Sequence, residues 1–352
     1  MTVEIGGRLV GPGEPPYVIA EAGVNHGGNP EVALRLVDAA ADAGADAVKF
    51  QTFVAGALAA AGTPQAAYQV ARAPAADQRA MLEQLELPVA AWSALHARAV
   101  ARGIAFLSTP FDRGSVQLLA KLGVPAFKVG SGDLTNLLLL RALAAHRLPL
   151  IVSTGMATLD EVDAAVADLR SHGDPPLVLL QCTSAYPAAD ADANLRAMST
   201  LRARYGVPVG YSDHTIGTAV ATAAAALGAD VIEKHLTLDR LRPGPDHAIS
   251  LEPTEFGSLA AAVRAVHQAL GDGTKAPVAA EEDNRGVARR GLVARRALDA
   301  GMVLAETDLD ALRPASGVSP LRVDEVIGRR VKHALAAGAP IRPEELEPPL
   351  DH

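Results

Sequence analysis

The sequence predicts an α/β chain built as a (β/α)8 barrel of the TIM type, followed by a small second domain. Eight times a short apolar, β-like run ends in a polar or ionisable cluster and gives way to a helix-like stretch. Eight βα units close into a parallel barrel whose strand ends converge on one mouth, where such barrels carry their chemistry. The chain has 352 residues, whereas a barrel uses roughly 250, which leaves a remainder of small-domain size. Its composition, 49% hydrophobic but only 3% aromatic, suits the close packing of helices on a sheet.

The runs close, in order, on Glu21 (YVIAEAGVNH), Lys49 and Gln51 (AVKFQT), Ser108 and Thr109 (IAFLSTP), and Lys128 and Ser131 (AFKVGSGD). They continue with Ser153 and Thr154 (LIVSTGM), Gln181 to Ser184 (LVLLQCTS), Ser212 to His214 (VPVGYSDHT) and Glu233 to His235 (DVIEKHL). Between them, residues 30–43, 91–102, 159–169, 217–227 and 255–270 carry apolar residues at helical spacing. Asn29 before Pro30, and Thr158 with Glu161 three residues on, are helix-start signals. The barrel is therefore expected over 1–272. Residues 273–288, polar and bearing Gly and Pro, read as a linker or extended arm. Residues 289–352, with short strand-like runs between Gly and Pro turns, form the second domain.

Composition also excludes classes. A formal charge of −8 argues against a nucleic-acid backbone as partner, which needs clustered Lys and Arg. One cysteine, Cys182, leaves no intrachain disulfide and no cysteine-cluster metal site. The start of the chain lacks a basic segment followed by an apolar one, and no apolar run approaches the ~18 residues that span a bilayer. The expectation is a cytoplasmic enzyme with no membrane partner.

The ionisable residues locate the chemistry. Lysine is scarce, six against twenty-six arginines, yet Lys49, Lys128 and Lys234 all lie at predicted strand ends. A lysine in an apolar strand is costly to bury without an anion. Lys49 and Lys128 read as functional, whereas Lys234, alternating with Glu233 and His235, points away from the barrel interior and reads as half of a structural ion pair. His214 and His235 end the seventh and eighth predicted strands, neighbours in a closed barrel, so the two imidazoles are candidates to share one divalent cation. A lone histidine is more often structural; paired strand ends shift the reading towards a metal. With no thiolate, Mn²⁺ stands first, with Mg²⁺ or Co²⁺ as alternatives, and open positions would suit Lewis-acid activation of a carbonyl. His26 reads more simply as a cap of the first βα loop. Thr109, Ser131, Ser153 and Ser212, with the glycines beside them, repeat a small hydroxyl motif around the mouth, a cradle for a phosphate ester.

The ordered series IAEAGVNHGG, AVKFQTF, FLSTPFD, FKVGSGDLTN, IVSTGMATLDE, CTSAYP, GYSDHTIG, VIEKHLTLDR and PGPDHAISLEP resembles the sialic acid synthase (N-acetylneuraminate synthase) family. The tail resembles that family's antifreeze-like SAF domain, a β-clip-like fold. The resemblance implies condensation of phosphoenolpyruvate with the open-chain aldehyde of an N-acylated amino sugar, N-acetylmannosamine or a close analogue, giving a nine-carbon acid and phosphate. It implies that His214 and His235 hold the metal, and that Lys49, Thr109, Lys128, Ser131, Ser153, Gly155 and Ser212 hold phosphoenolpyruvate. Gln51, Tyr186 and Asp246 would hold the sugar, with Glu21 and Glu233 beside the reacting carbons. Arg313 in DALRPASG matches an arginine that reaches the sugar of the partner subunit, which implies a domain-swapped homodimer.

Three positions depart from the family pattern. Asp133 stands for a glutamate, Ser184 for an asparagine and Arg72 for an asparagine, all expected to touch the substrate or its neighbours. Legionaminic and pseudaminic acid synthases, which take 2,4-diacetamido-trideoxyhexoses, share the scaffold and remain the alternative. Two further readings are a Schiff-base aldolase using Lys128 and a non-catalytic coat protein that keeps the synthase shape.

Overall fold

A computed structural model describes residues 1–348 of the chain; the last four residues of the predicted second domain, 349–352, lie outside the described residues. The chain divides into two compact units, one spanning Met1–Gly271 and one beginning at Asp272.

The first unit opens with a hairpin, β1 (Val3–Ile5) and β2 (Arg8–Val10). The barrel strands are β3 (Tyr17–Gly23), β4 (Ala47–Thr52), β5 (Ala105–Pro110), β6 (Phe127–Val129), β7 (Leu150–Ser153), β8 (Leu177–Cys182), β9 (Val209–Asp213) and β10 (Val231–His235). They pair in parallel in the order β5-β4-β3-β10-β9-β8-β7-β6. The end strands β5 and β6 meet, so the sheet rolls into a near-closed barrel, as the eight runs predict.

Side chains of a strand alternate between faces, and that alternation separates core from site. The outward set, including Val18, Ala20, Val48, Phe50, Phe106, Val152 and Tyr211, joins the helices in one continuous core. Phe50 stacks on Phe106 at 5.8 Å and meets Trp92 edge-on at 6.4 Å. Burying each such ring stabilises by roughly 1.5–3 kcal/mol. The inward set is apolar at the N-terminal ends of the strands, with Tyr17, Ile19, Ala47, Leu107, Ile151, Val178 and Val231 packed around Val3, Ile5 and Val10. The hairpin, which the rhythm of βα units does not announce, thus closes the floor. One step further along the same inward columns stand Glu21, Lys49, Thr109, Ser153, Cys182 and Glu233. At Gly210 an added Cβ would lie 2.3 Å from the Val231 carbonyl oxygen; only glycine lets β9 approach β10 this closely.

The surrounding helices are α1 (Pro30–Asp42), α2 (Ala55–Leu58), α3 (Ala67–Arg72), α4 (Gln78–Glu83), α5 (Val89–Ala101) and α6 (Arg113–Leu122), then α7 (Leu137–Ala144), α8 (Leu159–Ser171), α9 (Ala197–Tyr205), α10 (Ala219–Ala226) and α11 (Pro253–Leu270). Both predicted caps form. Asn29 accepts from the Glu31 and Val32 amides, and Thr158 with Glu161 makes a capping box. Among the described residues no helix is long and apolar enough to cross a membrane.

In the second unit, α12 (Glu282–Ala288) occupies much of the segment expected to be a linker or extended arm. Glu282 and Asp283 in its first turn favour the helix dipole, and Glu282 pairs with Arg285. Beyond it, β11 (Gly291–Ala294) and β12 (Leu309–Leu312) form an antiparallel ladder. Leu292, Leu298, Leu304, Val318, Val326, Val331 and Ile341 make a separate small core.

Candidate active site

The strand ends enclose a cavity of about 520 Å³. Its wall includes Glu21, Lys49, Gln51, Thr109, Lys128, Ser131, Ser153, Ser184, Tyr186, Ser212, His214, Glu233, His235 and Asp246. Fourteen residues read from strand ends and motifs, in eight βα units, therefore meet around one space. The eight-fold alternation explains why: each lies at or beyond the polar top of an inward column.

Two lysines and two glutamates form its centre. Lys49 Nζ lies 2.7 Å from Glu21 Oε2, 3.3 Å from Thr109 Oγ1 and 3.8 Å from Glu233 Oε1. Lys128 Nζ donates to Ser153 Oγ at 2.6 Å and to the Val129 carbonyl at 2.9 Å, and stands 4.0 Å from Glu233. Ser212 donates to Glu233 Oε1 at 2.9 Å, and Gln51 donates to Glu21 Oε1 at 3.1 Å.

All four ionisable groups are buried, and their environments separate their proton affinities. Burial opposes charge on Glu233, but Lys128 and Lys49 outweigh it and hold its pKa down. Glu21 is raised to about 7, by burial above all and by Glu233, against the pull of Lys49. Burial also opposes the charge of Lys49, yet Glu21 and Glu233 raise its pKa. Lys128 is lowered, because burial exceeds what Glu233 returns.

The imidazoles stand at the next two strand ends, ring centroids 5.4 Å apart. His214 Nδ1 lies 2.8 Å from the Thr183 carbonyl oxygen, so that nitrogen carries the proton; burial opposes charge on this ring, but Cys182 and the Thr183 carbonyl raise its pKa. His235 Nδ1 is buried with no partner and 4.0 Å from Asp246 Oδ2. Burial, then His214 and the lysines, hold His235 neutral, the form a metal ligand needs. A neutral His235 with an unmatched nitrogen, and the His214 imidazole beside it, fit a divalent cation. Among the described residues no three His, Cys, Asp or Glu side chains group as a metal cage, so further positions would fall to water or substrate oxygen.

Other expectations resolve individually. Gly155 lies behind the cavity wall, its N–H donating to Ser131 Oγ at 3.1 Å. A Cβ there would sit 2.4 Å from Ser184 Oγ and 2.8 Å from Ser131 Oγ, so only glycine fits beside these two hydroxyls. Asp133 does not line the cavity; it accepts from Asn136 at 3.0 Å beside the turn after β6. Arg313 is exposed on the second unit, just beyond β12. Lys234 is buried in an ion pair with Asp213 at 2.7 Å, on the outward face, as its alternation with Glu233 and His235 requires. His26 Nδ1 accepts the Gly28 N–H at 3.0 Å, the loop-capping role.

Sequence reasoning missed Cys182, whose sulfur lies 3.7 Å from His214 Nδ1. Its place two residues beyond inward Leu180 was the available signal. It also missed the segment between β4 and α5, which brings Leu58, Tyr68, Gln69, Met81, Leu82 and Leu85 to the cavity. Tyr68 stacks on Tyr186 at 5.0 Å, and Tyr186 lies 4.3 Å from the His214 ring.

Known proteins place this geometry in a family. The NeuB family model matches residues 36–275 and the SAF domain model matches residues 289–347. The N,N'-diacetyllegionaminic acid synthase of Legionella pneumophila is 43% identical over 336 residues, covering 94% of each chain. The N-acetylneuraminate-9-phosphate synthase of Homo sapiens is 34% identical over 333 residues, covering 92% of this chain and 91% of that one. The crystal structure of the N-acetylneuraminic acid synthetase of Leptospira borgpetersenii, in complex with citrate, superposes with a TM-score of 0.73 at 35% identity, covering 81% of this chain and 95% of that one. The chain belongs to the NeuB family, an enzyme family, and carries a SAF domain after its barrel.

Proposed function

We propose that this enzyme condenses phosphoenolpyruvate with the aldehyde of a 2,4-diacetamido-2,4,6-trideoxyhexose, giving a legionaminic-type nine-carbon acid and phosphate. The observation that carries this is the 43% identity to a diacetyllegionaminic acid synthase over 94% of both chains, against 34% to a phosphorylated-sugar synthase. It favours the diacetamido alternative over N-acetylmannosamine as acceptor.

In this reading Lys49 and Lys128 neutralise the carboxylate and phosphate of phosphoenolpyruvate, with Thr109, Ser131, Ser153 and Ser212 donating to the remaining oxygens. Gln51, Tyr186 and Asp246 position the sugar so that its aldehyde carbon faces C3 of the enol. His214 and His235 would hold a divalent cation, Mn²⁺ first, whose contribution is to polarise the aldehyde oxygen. The new bond forms between C3 and the aldehyde carbon. Glu233, held ionised between the lysines, faces the positive charge that develops at C2. Glu21, at the other side of Lys49, orients the water that adds there, and the tetrahedral product loses phosphate by C–O cleavage.

The second unit is proposed to act in trans, with Arg313 of one protomer reaching the sugar bound by another in a homodimer. Phosphate release from phosphoenolpyruvate tests the main reading. EDTA should abolish release with the diacetamido sugar and Mn²⁺ should restore it. Release independent of both metal and sugar would reject the proposal. Borohydride trapping of a pyruvate adduct on Lys128 would favour the aldolase reading instead.

A further inference from the structure

Asp213 and Lys234 set a pair of charges into the outward core of the barrel, beside a layer built of such residues as Val18, Phe50, Val152 and Tyr211. Both side chains are 0% exposed, so neither charge keeps any water. Two desolvated charges cost more than their attraction returns in many proteins, and apolar side chains of similar volume often hold a fold as well or better. The pair therefore calls for a role other than holding the sheet together.

Its place in the ladder supplies one. The pairing of β9 with β10 runs from Tyr211 opposite Ile232, through Ser212 opposite Glu233, to Asp213 opposite Lys234, and ends there. One step further would set His214 beside His235. His235 is still in the sheet on its other side, opposite Glu21 of β3, and its carbonyl accepts the Leu251 N–H at 2.9 Å. His214 has left the sheet. A turn holds it instead: Asp213 Oδ1 accepts the Thr215 N–H and the Thr215 hydroxyl, each at 2.8 Å, an Asx turn with His214 at its middle. Lys234 Nζ closes the arrangement, donating to Asp213 Oδ2 at 2.7 Å and to the Thr215 carbonyl. One ammonium group thus grips the residues on either side of His214. Because Lys234 directly precedes His235, the same grip ties the two histidines together. The Thr183 carbonyl sets the rotation of the His214 ring through Nδ1; the pair behind it sets the backbone from which the ring extends.

We propose that Asp213 and Lys234 are positioning residues for the cation site, fixing where the His214 imidazole stands relative to His235. This rests on the divalent cation proposed above for those two histidines. Neither member of the pair lines the cavity, so both act through the backbone they hold. Groups that orient metal ligands from outside typically change metal affinity by about 10–100-fold when removed.

Mn²⁺ binding by the full chain, read by calorimetry and by loss of the free-ion electron paramagnetic resonance signal, tests this without turnover. Asp213→Asn combined with Lys234→Met removes both charges at once, roughly keeps the side-chain shapes, and leaves Thr215 an acceptor oxygen at position 213. The double variant should fold, with an unfolding temperature near that of the wild type, and should bind Mn²⁺ about tenfold or more weakly. Its affinity for phosphoenolpyruvate, measured without metal, should change much less. Thr215→Val, which loses only the hydroxyl bond to Asp213, should fall between the two proteins in Mn²⁺ affinity. Wild-type Mn²⁺ affinity in the folded double variant overturns the proposal and leaves the cation reading standing. Equal losses for Mn²⁺ and phosphoenolpyruvate overturn it in favour of a general loosening of the barrel mouth. If the double variant does not fold, Thr215→Val decides, and wild-type Mn²⁺ affinity there overturns the proposal. His214→Ala locates the ion: a wild type that binds no Mn²⁺, or binds it equally after this substitution, overturns the cation reading and the proposal with it.

Discussion

The inward columns of the barrel strands and the segment between β4 and α5 line one cavity, but they are built on different physics. Glu21, Lys49, Lys128, Ser153, Ser212, Glu233 and His235 stand on paired strands, are buried, and are mostly bonded to one another across strand boundaries. Their positions follow from the ladder itself, since a one-residue slip would turn each of them outward. The segment that carries Leu58, Tyr68, Arg72, Met81 and Leu85 belongs to no ladder; its short helices present half-buried Leu58, Tyr68 and Arg72 beside the buried Met81 and Leu85. On the proposed function, charge handling is fixed by the most cooperative part of the molecule, and the choice of sugar would fall to a part that can vary without disturbing the sheet.

Substitutions should separate the two regions, and the largest effect belongs to the ladder. Lys49→Met leaves Glu21 and Glu233 buried with the cation between them removed; kcat/KM for phosphoenolpyruvate should fall by about 10³ or more. Steady-state assay checks this, and a loss confined to the sugar KM would break the division of labour. Next comes Gly155→Ala, whose methyl would displace Ser184 and Ser131. Phosphoenolpyruvate KM should rise about tenfold, with a smaller change for the sugar. On the other side, Tyr68→Ala removes the ring stacked on Tyr186. It should raise the sugar KM several-fold and move the phosphoenolpyruvate KM less. Arg313→Ala tests the proposed reach of the second unit: sugar KM should rise, and an unchanged value would remove that role.

The smallest effect lies away from the cavity. Asp163 is lowered to about 2 by its hydrogen bonds with Arg204 and Tyr205. A depressed carboxyl stabilises above its unfolded-state pKa, near 4, and loses that contribution as pH falls through about 2. Asp163→Asn should therefore flatten the fall of the unfolding temperature between pH 4 and pH 2 while leaving the kinetic constants in place. Steeper acid unfolding in the variant would contradict the sign.

Much of the ladder was legible because alternation and function coincide in it. Lys49, Glu233 and His235 each lie an even number of residues from an inward apolar neighbour, Ala47 or Val231, and the same counting sends Lys234 outward to Asp213. The barrel floor was less legible: the hairpin of Val3 to Val10 is too short for a periodic signal, and only the tertiary contact with Tyr17 and Ile19 gives it a role. The sugar side was least legible. Tyr68 and Leu85 have no strand end to mark them, and Asp133, placed by motif position on the substrate, turns instead to Asn136. The α12 helix was hidden in a polar, Gly-bearing stretch whose composition reads as linker.

The central claim is that this cavity joins the enol phosphate to a diacetamido aldehyde with cleavage of the C–O bond. Phosphoenolpyruvate labelled with ¹⁸O in the bridging position, turned over with 2,4-diacetamido-2,4,6-trideoxymannose and Mn²⁺, tests it most directly. The account predicts that the label leaves in inorganic phosphate, in amounts equal to the nine-carbon acid formed. Label retained at C2 of the product, or phosphate released without any acid, would contradict it.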